Sequence, residues 1–428
     1  MSLHDAETDV VVAGAGLAGL AAARTLQQAG CRVQVLESAD DVGGRVRTDV
    51  VDGFRLDRGF QVLNPAYPAV RSLVDIRRLR PHHLPRVLRV VDGERTRILG
   101  NPLDNTEALT GLLKPEVPGV RDLAALMALS LRDGAAPARL LTGAADQTTR
   151  RELDRWGLSS AFVEQVLTPF LSGVFGEGEL TTSARFFHLA WRSFLRAAPV
   201  LPSAGMGALA RQFGDRLDPG TVELNTPVET VRPGRIEAGT RDRHAHAIVV
   251  ATDANTAASL VPDLEVPSWN GLRTFYYRTS TPPVSDSAIT IDARRDGPVR
   301  NTFVPSNLSA GYAPEGSGLI SATTLMDDSL RDNGTEREVR GHLAHLYNSD
   351  TSKWELLADY PIRHTLPRMT APHQLRRPVR VEPGLYVCGD HRDTSSIQGA
   401  LVSGARAARA VLADWPHMRG VRRSGPRP

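Results

Sequence analysis

Two stretches of the chain share one rhythm of apolar and polar positions. Near the start, in "DVVVAGAGLAGLAAARTLQQAGCRVQVLES", Asp9–Ala13 forms an apolar run and a small-residue turn follows. Apolar residues then recur at helical spacing to Gln28. This order predicts a strand buried on both faces, a tight turn and an amphipathic helix. Gly30 stops the helix, and Arg32–Leu36 reads as a second strand. Near the end, "GLYVCGDHRDTSSIQGALVSGARAARAVL" repeats the pattern. Leu385–Cys388 is an apolar strand, Gly389-Asp390 opens a polar turn, and a small-residue helix starts at about Ile397.

The middle of the chain divides in two. "RDLAALMALSL", "ARLLTGAAD" and the Phe-rich "LSSAFVEQVLTPFLSGVFGEGELTTSARFFHLAWRSFL" predict helices across 76–202. "LRTFYYRTSTPP", "SAITID" and "GLISATTLM" alternate as strands of a sheet within 263–375. The expected fold class is therefore α/β, with a Rossmann-like domain and a second domain of mixed sheet and helices.

The first turn carries the clearest chemistry. Gly14-Ala15-Gly16-Leu17-Ala18-Gly19 stands between strand and helix. Gly14 permits the tight turn, Gly16 lets backbone approach a pyrophosphate, and Gly19 lets the helix pack closely on the strand. The helix start offers free N–H groups and a positive dipole end to the phosphates. Glu37 closes the second strand, where it would accept hydrogen bonds from a ribose 2′-OH and disfavour a 2′-phosphate. Strand, turn, helix, strand and acid in this order predict a dinucleotide site, without separating NAD from FAD.

The continuation separates them. Gly43-Gly44-Arg45 follows Glu37-Ser38, and Asp57-Arg58-Gly59-Phe60-Gln61 comes after it. With these motifs the chain resembles the flavoprotein superfamily of monoamine oxidase, protoporphyrinogen oxidase and the bacterial-type phytoene desaturases, nearest the desaturase-like branch. The resemblance implies non-covalent FAD, with Gly43, Gly44 and Arg45 along its pyrophosphate and Gly59, Phe60 and Gln61 beside its ring. It also implies that Val228 meets the adenine, that Ala251 and Thr252 approach the nucleotide, and that Gly389 and Asp390 hold the ribityl or pyrophosphate part. Ile397, Gln398 and Ala400 would present a helix start to the flavin. The cofactor domain is then discontinuous, roughly 1–75, 203–262 and 376–415, and 76–202 with 263–375 form the substrate domain. The implied activity is an FAD-dependent oxidoreductase, a dehydrogenase or desaturase taking a hydride from an apolar, polyene- or ring-like molecule. An oxygen-using amine oxidase and a structural flavin protein are the alternatives, and the electron acceptor is either oxygen or quinone-like. Amine oxidases of the superfamily place a lysine on a substrate-domain strand. Here Arg273 stands nearest that position, and the two lysines, Lys114 and Lys353, fall outside comparable strands.

Composition adds mainly exclusions. Net charge is +3 over 428 residues, and the arginines are scattered, so no nucleic-acid partner is expected. The basic stretch 416–428 reads as a solvated tail. Cys31 and Cys388 form no CxxC pair, and His82-His83, His244 and His246 lack companion ligands, so no metal site is expected. The first residues show no signal-peptide pattern and no apolar run reaches membrane-spanning length. The cytoplasm is the expected location, with peripheral membrane contact left open. No residue stands out as a catalytic acid or base; His391 and Asp393 adjoin the second turn without a readable role.

Overall fold

The computed structural model describes residues 8–100, 119–239, 241–326 and 334–421. Lys114 and the end of the basic tail, 422–428, lie outside the described residues.

The apolar run Thr8–Ala13 is the centre of an eight-stranded sheet. Parallel strands Val33–Leu36 and Arg241–Val250 flank it, Val222–Glu223 lies beyond the first, and Leu385–Val387 pairs in parallel with the second. A strand with neighbours on both sides and helices on its faces is excluded from water, so Val10, Val11, Val12 and Ala13 are all fully buried. The first helix, Leu17–Gln28, and the last, Ile397–Val421, pack against each other beside this sheet. Their approach is close: a Cβ on Gly404 would stand 2.1 Å from the Ala18 carbonyl oxygen. The last helix runs on to Val421, past residue 416 where the sequence suggested a tail.

The second sheet has seven strands. Trp269–Thr279 lies between Glu355–Pro367 and Gly318–Leu325, followed by Val299–Phe303, Ile289–Asp292 and a hairpin, Val87–Asp92 with Arg95–Gly100. Here the helical expectation for 76–202 needs correction, because its first part holds the strand Pro81–His83 and then this hairpin. The hairpin's signal was the Gly93-Glu94 turn between two alternating runs, with Gly93 at φ +62°. Helices Val120–Ala135, Thr149–Arg155, Thr168–Phe175 and Ala184–Arg196 complete this half. Val163–Leu167 forms one turn of π-helix.

Three of these helices meet at a buried ionic cluster. The His188 imidazole sits 2.7 Å from Asp133 through Nδ1 and 3.1 Å from Glu152 through Nε2. Burial opposes the imidazolium, but hydrogen bonds to Asp133 and Glu152 outweigh it and raise the His188 pKa above 6.5. The His188 hydrogen bond holds Glu152 down at about 2, against an ordinary 4.5. The histidine's contribution to stability is complete below its unfolded pKa and is lost as pH rises through the raised folded value. The glutamate's contribution is complete above 4.5 and is lost as pH falls toward 2. His188→Gln should therefore cost about 3 kcal/mol near pH 6 and less at pH 9. Melting curves across that range check it, and a pH-independent difference would rule out an ionised His188.

Candidate functional site

The two strand–turn–helix units meet. Arg45 Nη2 donates to Asp390 Oδ1 at 2.6 Å, joining the early glycine turn to the late polar turn. Arg45 Nη1 donates to the Thr365 carbonyl at 2.6 Å, and its guanidinium lies over the Trp269 ring, 5.7 Å from the centroid. One side chain thus ties both units to two strands of the second sheet.

The early turns also support one another. Gly43 N–H donates to the Ala15 carbonyl at 2.9 Å, making a bridge between Gly16 and Gly43. Gly14 has φ +104°, and a Cβ there would meet the Ala251 carbonyl oxygen at 2.9 Å, so Ala251-Thr252 lies against this turn. Gly16 faces open space, with nothing within 4 Å of where its Cβ would stand. Leu17, Ala18 and Gly19 begin the helix beneath it, and Gly16 supplies no side-chain cap. Glu37 is already engaged: Oε2 accepts from Ala15 N–H at 2.6 Å, and Oε1 from Ala39 N–H at 2.9 Å and the Ser38 hydroxyl at 3.3 Å. The carboxylate braces the glycine turn, leaving its remaining lone pairs for a ligand hydroxyl.

At the late turn, Gly389 is held by its N–H to Ser403 Oγ at 3.0 Å. The last helix starts at Ile397 as expected, but Ala400 N–H is used by the Ser396 carbonyl. The Gln398 side chain turns aside to accept from Ala69 N–H at 2.9 Å. Val228 opens the strand Val228–Arg232 at the far end of the first sheet. Asp393 accepts from Arg406 and from Thr394 N–H, which is a capping and pairing role.

Gly59-Phe60-Gln61 follows a buried anchor that sequence reasoning passed over. The Asp57 carboxylate accepts from the Thr48 hydroxyl at 2.5 Å, Met206 N–H at 2.8 Å and the Tyr312 hydroxyl at 2.8 Å. Burial pushes its pKa up to about 6 against the pull of those donors. Gln61 Nε2 donates to the Arg45 and Arg58 carbonyls, while Gln61 Oε1 is buried without a partner. Both ring nitrogens of His391 are likewise buried and unpartnered, and burial lowers its pKa to about 4, leaving it neutral. Native folds seldom leave such groups unpaired unless a ligand or water completes them. The open face at Gly16, the helix start and these orphaned atoms fit a dinucleotide carrying a flavin. Cys388 is fully buried and its thiol is pushed up to about 12, so it supplies no thiolate nearby.

Phe60 also lines a cavity of about 540 Å³ between the second sheet and the helices. Its walls are mostly Leu, Phe, Val and Ile, with Trp191 and the π-turn residues Val166 and Leu167 among them, and no carboxylate among the described lining residues. Arg273 lies elsewhere. Its side chain is on the opposite face of the sheet, paired with Asp359 and stacked over Phe275, 4.7 Å from the ring centroid. Leu272, Thr274 and Tyr276 alternate with it and point the other way. Lys353 is exposed in a turn. Among the described residues no group of His, Cys, Asp and Glu could hold a metal, and no helix is long and apolar enough to cross a membrane.

Comparison with known proteins agrees with this architecture. A putrescine oxidase from Kocuria rosea is 54% identical over 69 residues, 16% of this chain and 14% of that protein. Protoporphyrinogen oxidase 2 of Arabidopsis thaliana is 42% identical over 66 residues, 15% of this chain and 13% of that protein. The matches thus span about one-seventh of those relatives' own length. Among solved structures, cyclohexylamine oxidase from Brevibacterium oxydans IH-35A superposes with a TM-score of 0.69 at 16% identity, covering 96% of this chain and 100% of that one. The Exiguobacterium sp. 255-15 protein provisionally assigned as a protoporphyrinogen oxidase gives 0.71 at 16% identity, over 96% and 99%. At such identities the likeness establishes the fold alone. The family model for flavin containing amine oxidoreductases matches residues 17–412, and the chain belongs to that family.

Proposed function

We propose that the protein is an FAD-dependent dehydrogenase that withdraws a hydride and a proton from an uncharged, apolar small molecule and so introduces a double bond. The cavity carries this reading. An ammonium group placed there would lose its hydration and find no carboxylate among the described lining residues, a cost of several kcal/mol. An apolar body gains about 25 cal/mol for each Å² it buries.

The cofactor supplies a ring that accepts the hydride. Around it, this chain's own residues divide the work. Gly14, Gly16, Gly43 and Gly44 let backbone approach the pyrophosphate, the first helix directs N–H groups at it, and Arg45 balances its charge. Glu37 and Val228 serve the adenosine end; Asp390, Gln61 and the start of the last helix serve the flavin end. Phe60 forms the border between cofactor and cavity, and the surrounding apolar wall keeps water from the reacting carbon. The first sheet and its helices make the cofactor half, and the second sheet with its helices makes the substrate half.

The competing reading, an oxygen-using amine oxidase, draws on the 54% identity to a putrescine oxidase over 69 residues. Anaerobic mixing separates the two. Polyenes or partly saturated ring compounds should bleach the flavin and primary amines should not, with faster reoxidation by a quinone than by oxygen. Bleaching by a primary amine alone, with rapid reoxidation in air, would establish the competitor.

A further inference from the structure

One polar group in the cavity wall has no structural employment. Asn301 lies on Val299–Phe303, only 4% exposed, and its side chain shares a sheet face with Phe303, Ile289 and Ile291. It lines the cavity, yet its Nδ2 is buried without a hydrogen-bond partner among the described residues. A leucine would fill a similar volume there at no polar cost.

A second position has been shaped around this amide. Gly173 sits inside the helix Thr168–Phe175, where glycine is a poor helix former. Its φ is not positive, so backbone conformation does not require glycine. A Cβ at 173 would stand 2.5 Å from Asn301 Nδ2, and the three nearest atoms to it all belong to Asn301. The helix has given up a side chain to make room for the amide.

We infer that Asn301 is the polar recognition point of the cavity, and that the ligand is an uncharged, mainly apolar molecule with a carbonyl or hydroxyl oxygen at that depth. The inference rests on the reading of the cavity as the substrate site. Phe303, whose ring meets Phe60 edge-on at 5.5 Å, marks the cofactor side. Asn301 stands two residues farther along the strand, roughly 7 Å away. The ligand oxygen is therefore set back from the reacting carbon by several bonds. It orients the molecule and takes no part in the chemistry. An asparagine amide offers both a donor and an acceptor, so ketone, aldehyde and alcohol oxygens all qualify, and the mainly apolar wall around it favours an uncharged group.

The test uses the holoprotein and two probes of nearly equal shape, 2-acetylnaphthalene and 2-ethylnaphthalene, measured by equilibrium dialysis. The wild-type chain should bind the ketone roughly three- to tenfold more tightly than the hydrocarbon. In Asn301→Leu the preference should vanish and hydrocarbon affinity should rise. Equal wild-type affinities overturn the inference without recourse to a variant, and so does a ketone preference that survives in Asn301→Leu. In both cases the cavity stands as an apolar binding site. Failure of both probes to bind overturns that reading as well.

Discussion

Gly404→Ala is expected to destabilise the protein by about 3 kcal/mol, the upper end of the usual cost of overpacking a core. Propensity alone predicts the opposite, because alanine is favoured over glycine in a helix by about 1 kcal/mol. Sterics decide here: the new Cβ would lie 2.1 Å from the Ala18 carbonyl oxygen and 2.9 Å from its carbon, neither of which is a flexible side-chain end. Relief requires the first and last helices to separate, and those helices follow the glycine turn and the late polar turn. Gly341 is the control. It lies in the helix Glu336–Tyr347 with nothing within 4 Å of its Cβ position, so Gly341→Ala should stabilise by up to about 1 kcal/mol. Denaturant melts of the two variants should shift in opposite directions. A shift of the same sign would show that the helix contact is not tight.

Asp390→Ala should weaken FAD binding roughly ten- to a hundredfold while changing apoprotein stability far less. Asp390 is 4% exposed and accepts a 2.6 Å hydrogen bond from Arg45. Losing the hydrogen bonds that Asp390 would make to a ribityl or pyrophosphate partner costs about 1–3 kcal/mol, which corresponds to that range of affinity. The Arg45 side chain is 36% exposed, so solvent screens the pair and the upper end of the range for buried ion pairs does not apply. Without Asp390, Arg45 keeps its bond to the Thr365 carbonyl but loses the contact that aims it at the late turn. Titration of the apoprotein with FAD, followed by flavin fluorescence, measures the effect. Unchanged affinity would remove Asp390 from the cofactor site.

Local patterning made the central strands of the first sheet and the two turns beside them legible. The runs at Asp9–Ala13 and Leu385–Cys388 are apolar because both faces are covered, and the glycines of Gly14–Gly19 mark backbone that side chains would block. What the sequence hid were contacts between distant residues. Nothing local shows that Gln398 holds Ala69, that Glu37 braces Ala15, or that Arg273 points away from the cavity behind its strand. A one-residue step along a strand reverses the face, so naming the strand correctly still left Arg273 on the wrong side. Asp57 and Asn301 lie in short strands of mixed polarity that give no local signal, and only the packed structure shows which partners they find or lack.

The sheet order also dictates when the first sheet can be completed. Thr8–Ala13 and one of its two neighbours, Val33–Leu36, lie close together along the chain and emerge from the ribosome in quick succession. The other neighbour, Arg241–Val250, emerges more than two hundred residues later, and Leu385–Val387 later still. Through most of synthesis, an apolar strand built for burial on both sides has one open edge, the condition that invites mispairing. Closure of such distant pairs is slow because loop entropy must be overcome before contacts reward it. A ligand held between the two strand–turn–helix units could engage only after both units, more than three hundred residues apart, have been made.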